Sequence, residues 1–116
     1  MKPAVILSLA LLPAAVSFGE GLEVKTVKRD KPVDFQSEVL PALRKNCLAC
    51  HNRTRAKGDV ILETPADIRK GNDDGPYVTP GNAEDSFLFA IAAHVDEPIM
   101  PPSKNKVGAR NFRPEE

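Results

Sequence analysis

The sequence predicts a small all-α domain, and three observations carry this prediction. Apolar residues recur at helical spacing in two segments, a proline-started helix signature lies between them, and turn-forming residues separate the three. The single strand-like stretch, residues 59–62, has no partner with which to build a sheet. At 116 residues, with 41% hydrophobic and 28% charged residues, the chain fits one globular domain.

The first predicted helix ends near Asn46. Asp34 or Ser37 can cap its N-terminus, and Pro41 requires either a kink or a late helix start. Its apolar stripe consists of Phe35, Val39, Leu40 and Leu43.

The second predicted helix is about two turns long. Thr64 is suited to the N-cap, Pro65 to the first helical position, Asp67 to the first turn, and Gly71 to the position just past the end. Residues 71–81 are then too rich in turn formers to continue as helix or strand.

The third predicted helix is the most strongly patterned. Asn82 is suited to cap it with Asp85 in the first turn, and Pro98 terminates it. Its apolar stripe consists of Phe87, Leu88, Ile91, Ala92 and Val95.

The first 19 residues are typical of a signal peptide. Lys2 precedes an almost wholly apolar run over residues 4–16, and small residues permit cleavage after Ser17 or Gly19. The alternative is an uncut membrane anchor, but the run is shorter than the ~20 residues that a bilayer span needs. We therefore divide the chain into three segments: a signal peptide (1–19), an exposed charged lead-in (20–33) and a folded domain (34–116).

The charges exclude one class of function. Sixteen basic and sixteen acidic residues cancel, so the whole chain lacks the field that draws a protein to nucleic acid or to an anionic membrane. Nucleic acid is not an expected partner.

The motif that carries chemistry is Cys-x-x-Cys-His, formed by Cys47, Cys50 and His51. This pattern is typical of c-type haem attachment. Residues three apart on a helical turn share a face, so both thiols can add to the two vinyl groups on one porphyrin edge, with the imidazole under the iron. An exported pair of thiols would otherwise end as a disulfide or a metal site.

Three other interpretations of the Cys-x-x-Cys-His motif remain open. A reducible redox pair would need alternating strands and helices, which the pattern lacks. A zinc site would have to recruit His94 to Cys47, Cys50 and His51. A structural disulfide between the two cysteines is the third.

Met100 is the expected sixth ligand of the iron. Pro98, Pro101 and Pro102 stiffen the loop that would present its sulfur. The alternatives are a core methionine at this position and His94 as the rival ligand. We also expect the imidazole of His51 to donate to a loop carbonyl near Pro76 or Pro80. Apolar residues expected around the group are Leu40, Leu43, Ile61, Ile68, Phe87, Leu88, Ile91 and Ile99.

From Phe35 through Pro102 the sequence resembles the planctomycete-type cytochrome c domain. The matching pieces are residues 39–41, 47–51, 57–64, Gly71, 75–76, 80–81, Ser86 and 100–102. The resemblance implies the small all-helical cytochrome c architecture, one covalent haem c with its iron held by His51 and Met100, and export to the periplasm.

Two departures from this family are visible. Gly58-Asp59 and Gly71-Asn72 stand where the family has glycine pairs. Pro114 begins what looks like the first turn of the closing C-terminal helix, which we therefore expect to be missing. Members of the family are similar to N-terminal parts of longer proteins, and this raises the hypothesis that a downstream domain follows.

The function expected from the sequence is single-electron transfer by an exported c-type cytochrome, with an unidentified redox partner and no catalytic reaction. The main alternative is a haem-based redox or gas sensor in which a signal displaces Met100. A peroxidase would need a distal acid or base, and only His94 offers itself.

Overall fold

The structure, a computed structural model, describes residues 21–116. The predicted signal peptide over residues 1–19 lies outside the described residues. Three α-helices follow in chain order: α1 (Leu40–Asn46), α2 (Pro65–Lys70) and α3 (Phe87–Ala92). A π-helical turn, Phe35–Val39, leads into α1, and a 3-10 turn, Lys57–Asp59, precedes α2.

The described part of the chain is helical and has no sheet, in agreement with that part of the fold prediction. Only two isolated bridges, Asn72 with Gly75 and Thr79 with Asn82, occur within residues 21–116. The helices are shorter than the sequence pattern suggested, and long loops connect them. None of the helices in residues 21–116 has the length and apolarity required to cross a bilayer.

The start of the first helix resolves the choice between two caps. The Asp34 carboxylate accepts the N–H of Ser37 at 2.8 Å and is therefore the cap. Pro41 lies in the first turn of α1, where its missing N–H breaks no helical hydrogen bond. The helical turns thus begin at Phe35 in the π-helical turn, but the α-helix itself starts only at Leu40, next to Pro41. Asn46 ends α1 as predicted.

The second helix follows its sequence signature at each position. The Thr64 hydroxyl accepts the N–H of Asp67 at 3.1 Å, and Pro65 is the first helical residue. Gly71 ends the helix with a φ of 69°. This conformation favours glycine, because a Cβ atom is strained there.

The third helix departs from its prediction at both ends. Asn82 caps a separate turn, since its side-chain Oδ1 accepts the N–H of Asp85 at 3.1 Å, and α3 begins at Phe87, after Ser86. The Ser86 hydroxyl is buried, accepts the N–H of Thr79 and donates to the Asn82 carbonyl, which separates the turn from the helix. The helix ends at Ala92, well before Pro98, and Val95 is 64% exposed, so neither belongs to it.

The core joins α1, α2 and the segment between them. Leu43, Leu62, Ile68 and Tyr77 form one buried cluster, and Leu62 is only 2% exposed. The Tyr77 hydroxyl donates to the Asp59 carbonyl at 3.2 Å, so its one polar group is satisfied. Because this cluster holds α1 against residues 60–62, it also fixes the turn that leaves α1.

The two ends of the described chain lie close to α3 and to each other. The N–H of Leu22 donates to the Ala93 carbonyl at 2.7 Å, and the N–H of Lys25 donates to the Pro114 carbonyl at 2.9 Å. Residues 23–34 are exposed. Within residues 21–116 no helix follows α3.

Candidate functional site

One cleft contains all four of the site residues predicted from the sequence. Cys47, Cys50, His51 and Met100 line a cavity of about 120 Å³. Its walls are almost entirely apolar. They are contributed by Val60, Leu62, Phe87, Leu88, Ile91, Pro101 and Phe112, among others.

The two cysteines lie on a turn that continues directly from α1. The N–H of Cys47 donates to the Leu43 carbonyl at 2.8 Å, as in a continuing helix. The N–H groups of Cys50 and His51 then both donate to the Cys47 carbonyl, at 3.1 and 3.0 Å. Residues 47–51 therefore have the helix-like spacing that places both thiols on one side.

Burial keeps the Cys47 thiol protonated. Desolvation raises the pKa of Cys47 to about 11, because an apolar environment disfavours the thiolate. Cys47 and Cys50 are both free and half-buried, so the disulfide alternative is not formed here. No group of three or more His, Cys, Asp or Glu residues in the described part of the chain could hold a metal ion. The zinc site considered from the sequence is therefore not assembled.

The His51 imidazole is held in its neutral form. Burial lowers the pKa of His51, and the nearby carbonyls of Lys57 and Val60 oppose this effect less strongly. A neutral imidazole is the form that binds a metal. Its Nδ1 atom is buried and has no hydrogen-bond partner in the described structure, so the expected bond to a carbonyl near Pro76 or Pro80 is not made.

The backbone around His51 is fixed by residues that the sequence analysis did not select. The side chain of Asn52 donates to the Leu48 carbonyl at 2.7 Å and accepts the N–H groups of Thr54 and Arg55, each at 2.9 Å. The His51 carbonyl accepts the N–H of Leu62 at 3.0 Å. Asparagine is a turn-forming residue because its side chain bonds the backbone N–H two residues on, and this signal was available in the sequence.

Met100 is presented by the loop that follows α3. Its N–H donates to the Ile91 carbonyl at 3.1 Å, which attaches this loop to the last turn of α3. Pro98, Pro101 and Pro102 line the cleft beside it, and Pro101 is buried. Met100 itself is half-buried. The loop therefore delivers a thioether to the same cavity as His51.

His94 does not lie among the residues that line this cleft. It follows the end of α3 in the left-handed conformation, with a φ of 61°, and not inside the helix as expected. Its Nε2 atom is buried without a partner in the described structure. The geometry therefore favours Met100 over His94 as the residue opposite His51.

The expected apolar lining is correct for α3 and wrong for the other elements. Phe87, Leu88 and Ile91 line the cleft. Leu43 and Ile68 instead belong to the buried cluster next to it. Leu40, Ile61 and Ile99, which were also expected, do not line the cleft, whereas Val60, Leu62 and Phe112 do. The prediction selected Ile61 from the extended segment 59–62, and successive side chains of an extended chain lie on opposite faces, so Val60 and Leu62 were missed. Phe112 was missed because the C-terminal segment has no helical periodicity.

The residues of the cleft fit a covalently attached haem. They supply two thiols at the attachment spacing, a neutral imidazole, a thioether and an apolar wall. Asn46 also lines the cleft and is 3% exposed, and neither its side-chain nitrogen nor its side-chain oxygen has a hydrogen-bond partner in the described structure. The Nδ1 atom of His51 likewise has none. Buried polar atoms without partners are uncommon in a finished structure, and their presence here agrees with a site built to contain a further group.

The described residues thus form a small helical domain in which one cleft contains the residue types expected of a c-type cytochrome. The sequence profile of the family described as Planctomycete cytochrome C matches residues 47–104, which is half of the chain. The chain belongs to this family, and membership implies covalently bound haem c. Neither the curated proteins nor the solved structures include a match to the chain.

Proposed function

We propose that the chain is an exported c-type cytochrome that transfers single electrons through one covalently attached haem. The observation that carries the proposal is that Cys47, Cys50, His51 and Met100 all line one apolar cleft. A haem bound there supplies a one-electron iron couple, ferrous to ferric.

The residues of the cleft have distinct roles in this proposal. Cys47 and Cys50 would hold the macrocycle through two thioether bonds, and His51 and Met100 would ligate its iron. A thioether ligand and an apolar wall both raise the reduction potential. The carbonyls of Lys57 and Val60, which lie near His51, are the acceptors available to orient its imidazole.

No catalytic reaction is part of the proposal. Among the residues that line the cleft, His51 is the only one with a general acid or base side chain near neutral pH, apart from the two cysteines. Both the imidazole and the thiols are committed to holding the haem. The cleft is therefore suited to electron transfer and not to acid–base chemistry.

The proposal also includes export of the protein to the periplasm and a partner protein with which it exchanges electrons. Cytochrome c domains are typically exported, and the apolar run over residues 4–16 is typical of a signal peptide. Electrons then pass to or from a redox partner. A downstream domain in a longer protein remains part of the same hypothesis.

Electron transfer is preferred over the sensor alternative because Met100 is anchored. Its N–H is bonded to the Ile91 carbonyl, and prolines flank it on both sides. A gas sensor needs a sixth ligand that leaves readily. We expect the reduced protein not to bind carbon monoxide at neutral pH, and ready binding would favour the sensor.

The test is expression with a cytochrome c maturation system, followed by mass spectrometry and a pyridine haemochrome spectrum. One haem per chain with two thioether bonds is expected. A haem-free chain, beside an efficiently matured control cytochrome, would contradict the proposal.

The sixth ligand is tested with a matched pair of variants. Met100→Ala is expected to open the iron to carbon monoxide, while His94→Ala retains the closed wild-type site. The opposite pattern would assign the sixth position to His94.

A further inference from the structure

The first described residues of the lead-in are bonded to the end of α3. Gly21 and Leu22 are half-buried, and the N–H of Leu22 donates to the Ala93 carbonyl at 2.7 Å. No side chain fits at residue 21 in this arrangement, because a Cβ atom there would lie 2.8 Å from the same carbonyl oxygen and 2.5 Å from a methyl group of Val95. Residues 21–25 are named here the strap.

The strap also holds the C-terminal end of the described chain. The N–H of Lys25 donates to the Pro114 carbonyl at 2.9 Å. Among the described residues, this is the only hydrogen bond between residues 110–116 and another part of the chain, since Arg113 and Glu116 bond each other. The C-terminal segment is therefore held by this bond and by the packing of Phe112 against the core.

The two residues to which the strap is bonded are the ends of one segment of the chain, and Met100 lies within that segment. Ala93 begins it and Pro114 ends it. Within residues 21–116 no hydrogen bond joins α3, or the turn after it, directly to residues 110–116. The strap therefore closes segment 93–114 into a loop by bonding both of its ends.

The ends of this loop adjoin the wall of the haem cleft. Ala92 and Phe112, each within two residues of a bonded end, line the cleft together with Met100. The same two residues line a second apolar cavity, of about 310 Å³, which Leu22 and Val24 of the strap also line. Ala92 and Phe112 thus lie between the strap and the haem cleft.

We propose that the strap is a positioning element for Met100: it keeps the thioether at the iron and slows its replacement by external ligands. The inference rests on the proposed function, in which Met100 ligates the iron. Closing a loop removes conformations in which the sulfur is far from the metal, and this raises the effective concentration of the sulfur at the iron. Opening the strap would lower that concentration without touching either ligand.

The strap is weakly held, so it can be opened without unfolding the domain. Glu23, Val24 and Lys25 are exposed, and two backbone hydrogen bonds attach the strap to the rest of the described chain. The core cluster and the residues packed against it include none of the strap. Segments with few buried contacts open at low free-energy cost. Changes in the strap are therefore expected to alter Met100 ligation before they alter the fold.

The experiment is an imidazole titration of the haem-loaded ferric protein, followed by absorption spectroscopy. Imidazole nitrogen binds the iron at the position that the sulfur of Met100 leaves. Lys25→Pro removes the N–H that bonds Pro114. Lys25→Gln keeps this N–H and is the first control. Lys28→Pro is the second, because Lys28 also follows a valine in the lead-in but its N–H forms no hydrogen bond in the described structure.

We expect the dissociation constant of imidazole to fall by about fivefold in Lys25→Pro, which is the typical effect of losing one backbone hydrogen bond. Lys25→Gln and Lys28→Pro should keep the wild-type constant. Gly21→Val opens the other end of the strap, because its side chain meets the Ala93 carbonyl, and should shift the constant in the same direction. It decides the question if Lys25→Pro does not fold. Equal constants in the strap variants and the controls would overturn the inference.

Met100→Ala separates positioning of the sulfur from general loosening of the cleft. Without the thioether there is no ligand to displace, so Lys25→Pro/Met100→Ala should bind imidazole as tightly as Met100→Ala alone. An effect of Lys25→Pro that persists in this background would overturn the inference and leave the proposed function standing. Wild-type protein that binds imidazole as tightly as Met100→Ala would overturn the proposed ligation by Met100, and the inference with it.

Discussion

Cys47 and His51 are both held in their neutral forms, and one cause acts on both. Desolvation raises the pKa of the Cys47 thiol and lowers the pKa of the His51 imidazole, because an apolar wall disfavours either charge. Neutral imidazole is ready to bind iron, whereas a protonated thiol is a poor nucleophile. We therefore expect thioether formation at Cys47 to be easiest before the chain has packed fully.

The reactivity of Cys47 tests this argument. The measurement uses haem-free Cys50→Ser protein at low temperature, where the loosened domain is still folded. Alkylation of Cys47 by iodoacetamide at pH 8 is then expected to be slower than that of an unfolded cysteine, by about a hundredfold where the burial of Cys47 is kept, since the pKa is raised from 9.0 to about 11. The rate should increase as the pH approaches 11, where the thiolate forms. Denaturant provides the control by restoring the ordinary rate, and an equal rate in native buffer would contradict the prediction.

At the scale of elements, the short helices depend on their ends. A helix of six or seven residues has little intrinsic stability, so caps and glycine stops determine where each one lies. Asp34 and Thr64 cap through their side chains, and Gly71 ends α2. Gly71 also lies against the turn at residues 72–75, in which Asn72 and Gly75 each donate their N–H to the other's carbonyl.

Two glycines with nearly equal φ differ in how badly they would tolerate a side chain. Gly58 has φ 67° and ψ 24°, the left-handed helical conformation, and a Cβ there would meet no atom within 4 Å. Gly71 has φ 69° and ψ -150°, a conformation open almost only to glycine, and a Cβ there would also meet the Gly75 carbonyl. Gly58→Ala should therefore cost about 1 kcal/mol of unfolding free energy, and Gly71→Ala should cost clearly more. Urea unfolding of the haem-loaded variants measures both, and equal losses would contradict this prediction.

A second element-scale prediction concerns the entry to the first helix. Glu38 accepts two hydrogen bonds from Arg29, both at 2.8 Å, and the N–H of Asp34 at 2.7 Å. The Arg29 bond, followed by the Asp34 N–H, lowers the pKa of Glu38 below its ordinary 4.5. The ionised carboxylate is thus favoured in the folded state, so its stabilisation is full above the ordinary pKa and is lost as pH falls through the lowered one.

Glu38→Gln should therefore be less stable than wild type at neutral pH and equal to it in acid. Thermal unfolding of the haem-loaded proteins across this range measures the difference. Glu84→Gln is the matched control, since Glu84 is exposed and forms no ion pair or side-chain hydrogen bond within residues 21–116. A difference between wild type and Glu38→Gln that persists in acid would contradict this assignment.

In the molecule as a whole, the buried core of protein side chains is small, and an apolar cleft lies beside it. Eight hydrophobic residues are buried in the described chain. Residues of α3 and of segment 60–62 form walls of the cleft. A flat apolar group between them would complete the core, which a chain of this length needs.

Loss of the haem attachment should therefore loosen the whole domain. Cys47→Ser/Cys50→Ser is expected to bind the dye ANS and to unfold at lower temperature and less cooperatively than the haem-loaded wild type. Circular dichroism and dye fluorescence measure this. Wild-type protein produced without haem should behave like the double variant, and a cooperative transition at the holoprotein's temperature in either would show that the core is complete without the group.

The features that the sequence predicted correctly are those that depend on neighbours close along the chain. Contacts within four residues fix the Cys-x-x-Cys-His turn, the end of α1 at Asn46 and every position of the α2 signature, so the local pattern predicts them. The start of α3 depends on Ser86 bonding to Thr79 and Asn82, which periodicity does not reveal. The carbonyls nearest to His51, those of Lys57 and Val60, were not expected, since the prediction placed the acceptor near Pro76 or Pro80.

Residue types and their spacing predict the chemistry of this protein: two thiols, an imidazole and a thioether in a chain that resembles the cytochrome c family. Both are local properties, and they suffice for that prediction. The tertiary structure was needed to show that Met100 and not His94 lines the cleft with His51, and that Phe112 and Val60 complete its wall. Those outcomes depend on how α3 and the loop after it pack against a core distant in sequence, and no short-range pattern encodes that packing.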